Sequence, residues 1–122
     1  MDHPTFGNGK ICYVEIPAMD ISKSASFYAA VFGWQVRTRD DGTVGFDDGV
    51  GEVSGTWVTG RKPASDAGFM MHIMVNSISA SIELIVQNGG LITPPAASDA
   101  PGATASFLDP AGNRMGLYQH GS

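Results

Sequence analysis

The sequence predicts a strand-rich α+β fold built from two similar halves, and three observations carry that prediction. Sixteen glycines and seven prolines are dispersed between apolar segments along 122 residues, the distribution of many short strands joined by turns. Two segments of equal length, Asp20 to Gly33 and Asn76 to Gly89, carry helical periodicity between a capping residue and a glycine. Each follows one apolar strand segment and precedes three, so the order β, α, β, β, β occurs twice, a degenerate internal duplication.

Ile11 to Ile16 reads as the first strand, with Cys12, Val14 and Ile16 on one face and Ile11, Tyr13 and Glu15 on the other. Asp20 then caps a helix on which Ile21, Ala25, Tyr28 and Phe32 share a face, widened by Phe27 and Val31, and Gly33 ends it. Short strands follow at Trp34 to Arg39, Thr43 to Phe46 and Val53 to Val58, divided by Asp40-Asp41-Gly42 and Asp47-Asp48-Gly49 turns. Module one therefore spans about residues 9–58, and residues 59–68, with Gly60, Pro63, Ser65 and Asp66, form the linker. Module two spans about residues 69–119 and opens with a strand from Phe69 to Val75. Asn76 or Ser77 caps its helix, which bears Ile78, Ile82, Ile85 and Val86 and ends at Asn88-Gly89-Gly90. Strands near Leu91-Ile92-Thr93, Ala103 to Leu108 and Arg114 to Tyr118 complete it.

Seven basic against twelve acidic residues give a formal charge of −5, with no basic cluster beyond Arg61-Lys62, so nucleic acid is not an expected partner. No apolar run reaches the length of a bilayer span, and Met1-Asp2-His3-Pro4 lacks a basic segment followed by an apolar one, so no membrane partner and a cytoplasmic location are expected. Cys12, the single cysteine, cannot form an internal disulfide and within Lys10 to Val14 suits a buried small hydrophobe. His3 and His120 fall near the chain ends, where solvated side chains are expected. Asp47, Asp48 and Glu52 alternate with glycine in the manner of a hairpin turn rather than a calcium loop, and Gly7-Asn8-Gly9 lacks the strand and helix of a nucleotide motif.

The turn Asp109-Pro110-Ala111-Gly112-Asn113 joins the strand end Ala105 to Leu108 to a last strand with Met115 and Leu117 on one face and Gly116 and Tyr118 on the other. That turn resembles the Asp-Pro-x-Gly-Asn signature of glyoxalase-like domains in the vicinal oxygen chelate superfamily, which includes glyoxalase I, extradiol dioxygenases and bleomycin-resistance proteins. The resemblance extends to Val14-Glu15-Ile16-Pro17-Ala18-Met19-Asp20, to Phe27 through Trp34 and to Asn88-Gly89-Gly90. It implies an α+β fold in which two βαβββ modules form a cupped mixed sheet around a cleft, and a homodimer.

The resemblance also implies a divalent metal acting as a Lewis acid on paired substrate oxygens and held by His, Glu or Gln side chains. The ligand positions fall on Tyr13, on Met70, within Val53 to Val58 and on Gly116, and none of these supplies a carboxylate or an imidazole. No cofactor is therefore expected. One pleat away on the same faces stand Glu15, beside Tyr13, and His72, beside Met70. They are the candidate catalytic pair, Glu15 as a general base in a semi-apolar pocket and His72 as a proton donor or substrate hydrogen-bonding group. For Glu15 a bond to a neighbouring strand or to solvent is the competing reading. Tyr13 and Tyr118 offer phenols at a pocket rim, Trp57 a stacking surface or a core side chain, Met70 a pocket wall, and Gly116 space where a ligand carboxylate usually projects.

The function expected is that of a glyoxalase-like small-molecule-binding protein or a metal-independent enzyme working by acid–base chemistry on an unnamed organic substrate. One alternative is a metal-dependent lyase or dioxygenase of lactoylglutathione-lyase type, with Glu15 and His72 binding the ion in a shifted register. The other is a non-catalytic, antibiotic-sequestering protein.

Overall fold

Two four-stranded sheets, each carrying one helix, organise the chain in a computed structural model that describes residues 4–65, 68–93 and 103–119. The chain divides into two units, the first ending at Arg61 and the second beginning at Lys62. Asp66, His3 and His120 lie outside the described residues.

Unit 1 runs β1 (Tyr13–Pro17), α1 (Ile21–Phe32), β2 (Gln35–Thr38), β3 (Val44–Asp47) and β4 (Ser54–Val58), with sheet order β1-β4-β3-β2. β1 is parallel to β4, and the other pairings are antiparallel. The helix boundaries follow from local chemistry. The Asp20 carboxylate accepts the Lys23 N–H at 3.1 Å, and Gly33 closes the helix in the left-handed region at φ 72°, donating its N–H to the Ala29 carbonyl. Ser24, Ala25, Phe27 and Tyr28 form the buried face of α1. They meet an aromatic core in which Tyr28 stacks on Trp34 at 4.6 Å between centroids, Trp34 on Phe46 at 4.5 Å, and Phe46 leans on Trp57 at 4.8 Å. Each such ring contributes about 2–3 kcal/mol from burial.

Unit 2 repeats the plan with β5 (His72–Val75), α2 (Ile78–Gln87), β6 (Leu91–Thr93), β7 (Thr104–Leu108) and β8 (Arg114–Gln119), in order β5-β8-β7-β6. β5 is again the parallel partner of the last strand. Ser77 is the N-cap, its hydroxyl accepting from Ala80 N–H at 3.2 Å. The next N–H, that of Ile78, donates to the buried Gln119 side chain at 2.7 Å, so β8 itself completes the cap. The core is aliphatic: Ile78, Ile85 and Leu117 are fully buried around Phe107, with Met115 beside them. Val86, expected on the apolar stripe of α2, is 58% exposed, because Ser81 takes a place on the buried face and rotates the stripe away from it.

The Asp109 turn is the best-bonded loop of unit 2. One oxygen of the buried Asp109 carboxylate accepts from the N–H groups of Ala111 and Asn113, and the other accepts from the Asn113 amide nitrogen, each at 2.9 Å. The Asn113 amide oxygen in turn accepts from Ala64 N–H at 2.8 Å, and Arg114 N–H donates to the Ala64 carbonyl, so the turn pins residues 63–64 to the start of β8. Gly112, at φ 95° and packed near Pro63, supplies the left-handed step.

Two expectations need correction, and one of the two readings of Trp57 falls away. Cys12 is exposed rather than buried, because β1 begins at Tyr13 and the chain leaves the sheet there, with only the Cys12 carbonyl bonded, to Ser54 N–H. β5 begins at His72, and Phe69, expected to start it, is fully exposed. Trp57 is a core residue, as described below. Among the described residues no helix is long and apolar enough to cross a membrane.

Gly55 sets the tightest approach in unit 1. A Cβ there would stand 2.6 Å from Phe46 Cε2 and closer still to the Val14 carbonyl oxygen. Gly55→Ala is therefore expected to cost about 3 kcal/mol by overpacking, read as a lower denaturant midpoint at unchanged slope.

Candidate functional site

Strand pairing gives each sheet one face under its helix and one open face. In unit 1 the register aligns Glu15 of β1 with Thr56 of β4, Gly45 of β3 and Arg37 of β2, a single cross-strand row on the open face. In unit 2 it aligns His72 of β5 with Gly116 of β8, Ser106 of β7 and Thr93 of β6. Glu15 and His72 each stand five residues before a helix N-cap, Asp20 and Ser77, so the two rows are structural equivalents. One row carries an acid and the other an imidazole.

The His72 row has a definite shape. A Cβ on Gly116 would lie 2.5 Å from His72 Cε1 and 2.8 Å from Cγ, so the imidazole rests on the bare backbone of β8. Gly116 N–H donates to the Met71 carbonyl at 2.7 Å, which fixes the strand beneath the ring. His72 is exposed and has no hydrogen-bond partner among the described residues. Next along the row, the Ser106 and Thr93 hydroxyls bond each other. The adjacent row places Met74 beside Tyr118 and Thr104, with Tyr118 half-buried and Met74 exposed. Met70 precedes β5 and is exposed.

Glu15 lies in different surroundings from those expected. Its side chain is 45% exposed and bonds Arg61 Nη2 at 2.7 Å, so an arginine and solvent stand where a semi-apolar pocket was anticipated. Tyr13, aligned with Ser54 and Asp47 in the neighbouring row, is 48% exposed. Trp57 is aligned with Ile16 on the helix side and is only 2% exposed, between Phe46 and Tyr28, with its indole N–H buried and unpartnered. It offers no stacking surface. Ser54 and Thr56 on the opposite parity of β4 were the signal, because they mark the wet face and leave Gly55 and Trp57 for the core.

Sequence reasoning passed over three arginines. Arg37 bonds the Asp47 carboxylate at 2.9 Å, Arg61 bonds Glu15, and Arg39, continuing the alternation of β2, folds back over Gly45. The acidic hairpin residues are committed locally: Asp48 accepts from Glu52 and Val53 N–H groups, and Glu52 bonds Thr5 and Lys10.

A divalent ion of the kind the resemblance implies does not fit these donors. The four positions present a phenol, a thioether, the Ser54, Thr56 and Val58 side chains, and a glycine whose space the His72 ring occupies. Among the described residues no three His, Cys, Asp or Glu side chains gather as a metal-binding group.

Paired βαβββ units of this topology, carrying the Asp109–Asn113 turn, define a glyoxalase-type domain. The profile of the Glyoxalase/Bleomycin resistance protein/Dioxygenase superfamily matches residues 10–117, and the chain belongs to that superfamily. A glyoxylase-like domain-containing protein of Didymella fabae is 29% identical over 97 residues, covering 68% of this chain and 70% of that protein. Solved structures that share the fold include two from bacteria. The genomically encoded fosfomycin resistance protein FosX from Listeria monocytogenes has a TM-score of 0.72 at 15% identity, over 91% of this chain and 90% of its own. A glyoxalase/bleomycin resistance protein/dioxygenase family enzyme from Burkholderia phytofirmans PsJN has a TM-score of 0.70 at 20% identity, over 88% and 95%.

Removing the bare position tests the seat of the imidazole. In Gly116→Ala the new methyl displaces the His72 ring, which swings into solvent at a cost below about 1 kcal/mol because an exposed side chain moves freely. The expected readout is a large change in the His72 ring-proton resonances with a nearly unchanged unfolding midpoint.

Proposed function

We propose that this protein binds a small organic molecule against the open face of its second sheet without a family-type metal centre, and that any turnover proceeds by proton transfer at His72. The observation that carries this reading is the His72 imidazole itself, exposed, seated on Gly116 with Nδ1 toward the strand, and without a side-chain hydrogen-bond partner among the described residues. An imidazole exchanges a proton near neutral pH and can donate from one nitrogen while accepting at the other. The Ser106–Thr93 hydroxyl pair in the same row adds two further hydrogen-bonding groups, and the Tyr118 phenol lies one row away. Glu15, bonded to Arg61, holds that guanidinium on the first sheet rather than serving as the principal base. Met70 adds flanking surface. The working form is a cytoplasmic homodimer.

Substrate identity follows from screening rather than from the fold, since the superfamily spans lyases, dioxygenases and sequestering proteins on one scaffold. The test is elemental analysis of protein purified without chelator, followed by a thermal-shift screen of small carbonyl and aromatic compounds on the parent and on His72→Ala. Substoichiometric Ni, Zn, Fe and Mn are expected, with ligands whose affinity falls about tenfold in His72→Ala, the loss of one to two hydrogen bonds. A stoichiometric ion lost in His72→Ala, or ligands indifferent to that substitution, would overturn the reading. Ligands that bind tightly and emerge unchanged would assign sequestration over catalysis.

A further inference from the structure

We infer that the open face of the first sheet is an oxyanion-binding site centred on Arg39, for a ligand bearing a carboxylate or phosphate-type group. Three of the chain's four arginines lie along one cross-strand row of unit 1, in a protein whose formal charge is −5. Arg61 lies over Glu15 at one end of that row, and Arg37 stands on β2 at the other. Arg39 lies at the middle. A Cβ on Gly45 would be 3.0 Å from Arg39 Nη2 and 3.1 Å from Nη1, so the guanidinium rests flat on the space that the missing side chain leaves.

The bland account of surface arginines is mutual neutralisation, and it covers two of the three. Arg37 is paired with Asp47 at 2.9 Å and Arg61 with Glu15 at 2.7 Å. Arg39 has no carboxylate within salt-bridge distance among the described residues, and its sole side-chain bond is a long one, 3.4 Å, to the Thr43 hydroxyl. Asp41 interacts with it electrostatically, but that carboxylate is engaged by the Thr43 N–H and hydroxyl, which together with Arg39 hold its pKa below the ordinary aspartate value. Arg39 therefore presents a planar fork of donors, seated and uncommitted, flanked by two guanidinium groups that carboxylates hold in place. This geometry suits the parallel oxygens of a carboxylate or a phosphate, which a guanidinium binds in bidentate fashion. The Thr56 hydroxyl between Glu15 and Gly45 donates to the Val44 carbonyl at 2.7 Å, which fixes that part of the row. Gly45 is the enabling residue, since a side chain there would push the fork off the sheet. The inference uses unit 1 alone, so its outcome is independent of what His72→Ala does.

The test follows arginine Nε–H resonances of the intact, isotope-labelled protein while inorganic phosphate, and separately malonate, is added at constant ionic strength maintained with chloride. Saturable shifts largest at Arg39 are expected. Apparent affinity should fall about tenfold in Arg39→Gln and partly return in Arg39→Lys, which restores charge without the fork, while Lys23→Gln, a charge loss on exposed α1, leaves it unchanged. Preference for phosphate or for malonate identifies the oxyanion. Non-saturable shifts, an unchanged affinity in Arg39→Gln, or an equal loss in Lys23→Gln would overturn the assignment. Thermal midpoints of the variants within a few degrees of the parent ensure that the comparison is between folded proteins.

Discussion

Two glycines in equivalent rows, Gly45 and Gly116, decide what the open faces of these sheets can hold. A β-strand projects a side chain from every second residue, so a sheet face is ordinarily carpeted, and a long polar side chain must stand away from it. Removing one side chain from the row lets the neighbour lie down. Arg39 does so over Gly45 and His72 over Gly116, each with its polar atoms set just above the backbone. The same device acts on the helix side at Gly55, where it admits an aromatic ring, Phe46, instead of a charged group. Packing and candidate chemistry thus share one physical origin, a backbone laid bare at a chosen register.

That register has to be held, and the supports differ between units. In unit 1 the aromatic stack of Tyr28, Trp34, Phe46 and Trp57 fixes the sheet against α1. A one-residue slip would turn these rings to water and the arginines inward, which makes the pairing unambiguous. In unit 2 the core is smaller and aliphatic, and polar bonds take a larger share. The Asp109 carboxylate and the Asn113 amide define where β8 begins, and Gln119 at its far end caps α2. Gly116 lies between those two anchors, so the strand under the imidazole is tied at both ends. The superfamily turn is structural in this chain, and its chemical consequence is the placement of position 116.

Much of this was legible in the sequence. Asp20 and Gly33 mark α1 to the residue, since a carboxylate that accepts an early N–H and a glycine free to adopt positive φ have few other uses around an amphipathic stretch. The βαβββ order could be read twice, and the strands Leu91–Thr93 and Thr104–Leu108 lie where alternation put them. Other features were hidden. Trp57 read as a possible ligand surface because aromatic character alone does not say which side of a sheet is dry, although Ser54 and Thr56 did say so. Cys12 follows the right parity for the core, but parity gives no hint that pairing starts one residue later. Arg37 and Arg39 are two residues apart, but Arg61, Gly45 and Glu15 lie far from them in sequence and join one row only once the strands are paired. The clearances at Gly45 and Gly116 depend on what lies across the sheet, which spacing along one strand cannot show.

An imidazole, rather than a metal ligand, fills the space at position 116. The most direct measurement is the proton spectrum of Gly116 in the intact protein. The account predicts nuclear Overhauser contacts from the His72 ring to the Gly116 α-protons, together with ring-current shifts of those protons that vanish in His72→Ala. Unshifted α-protons without such contacts would contradict it, as would a first-row cation bound in stoichiometric amount through His72.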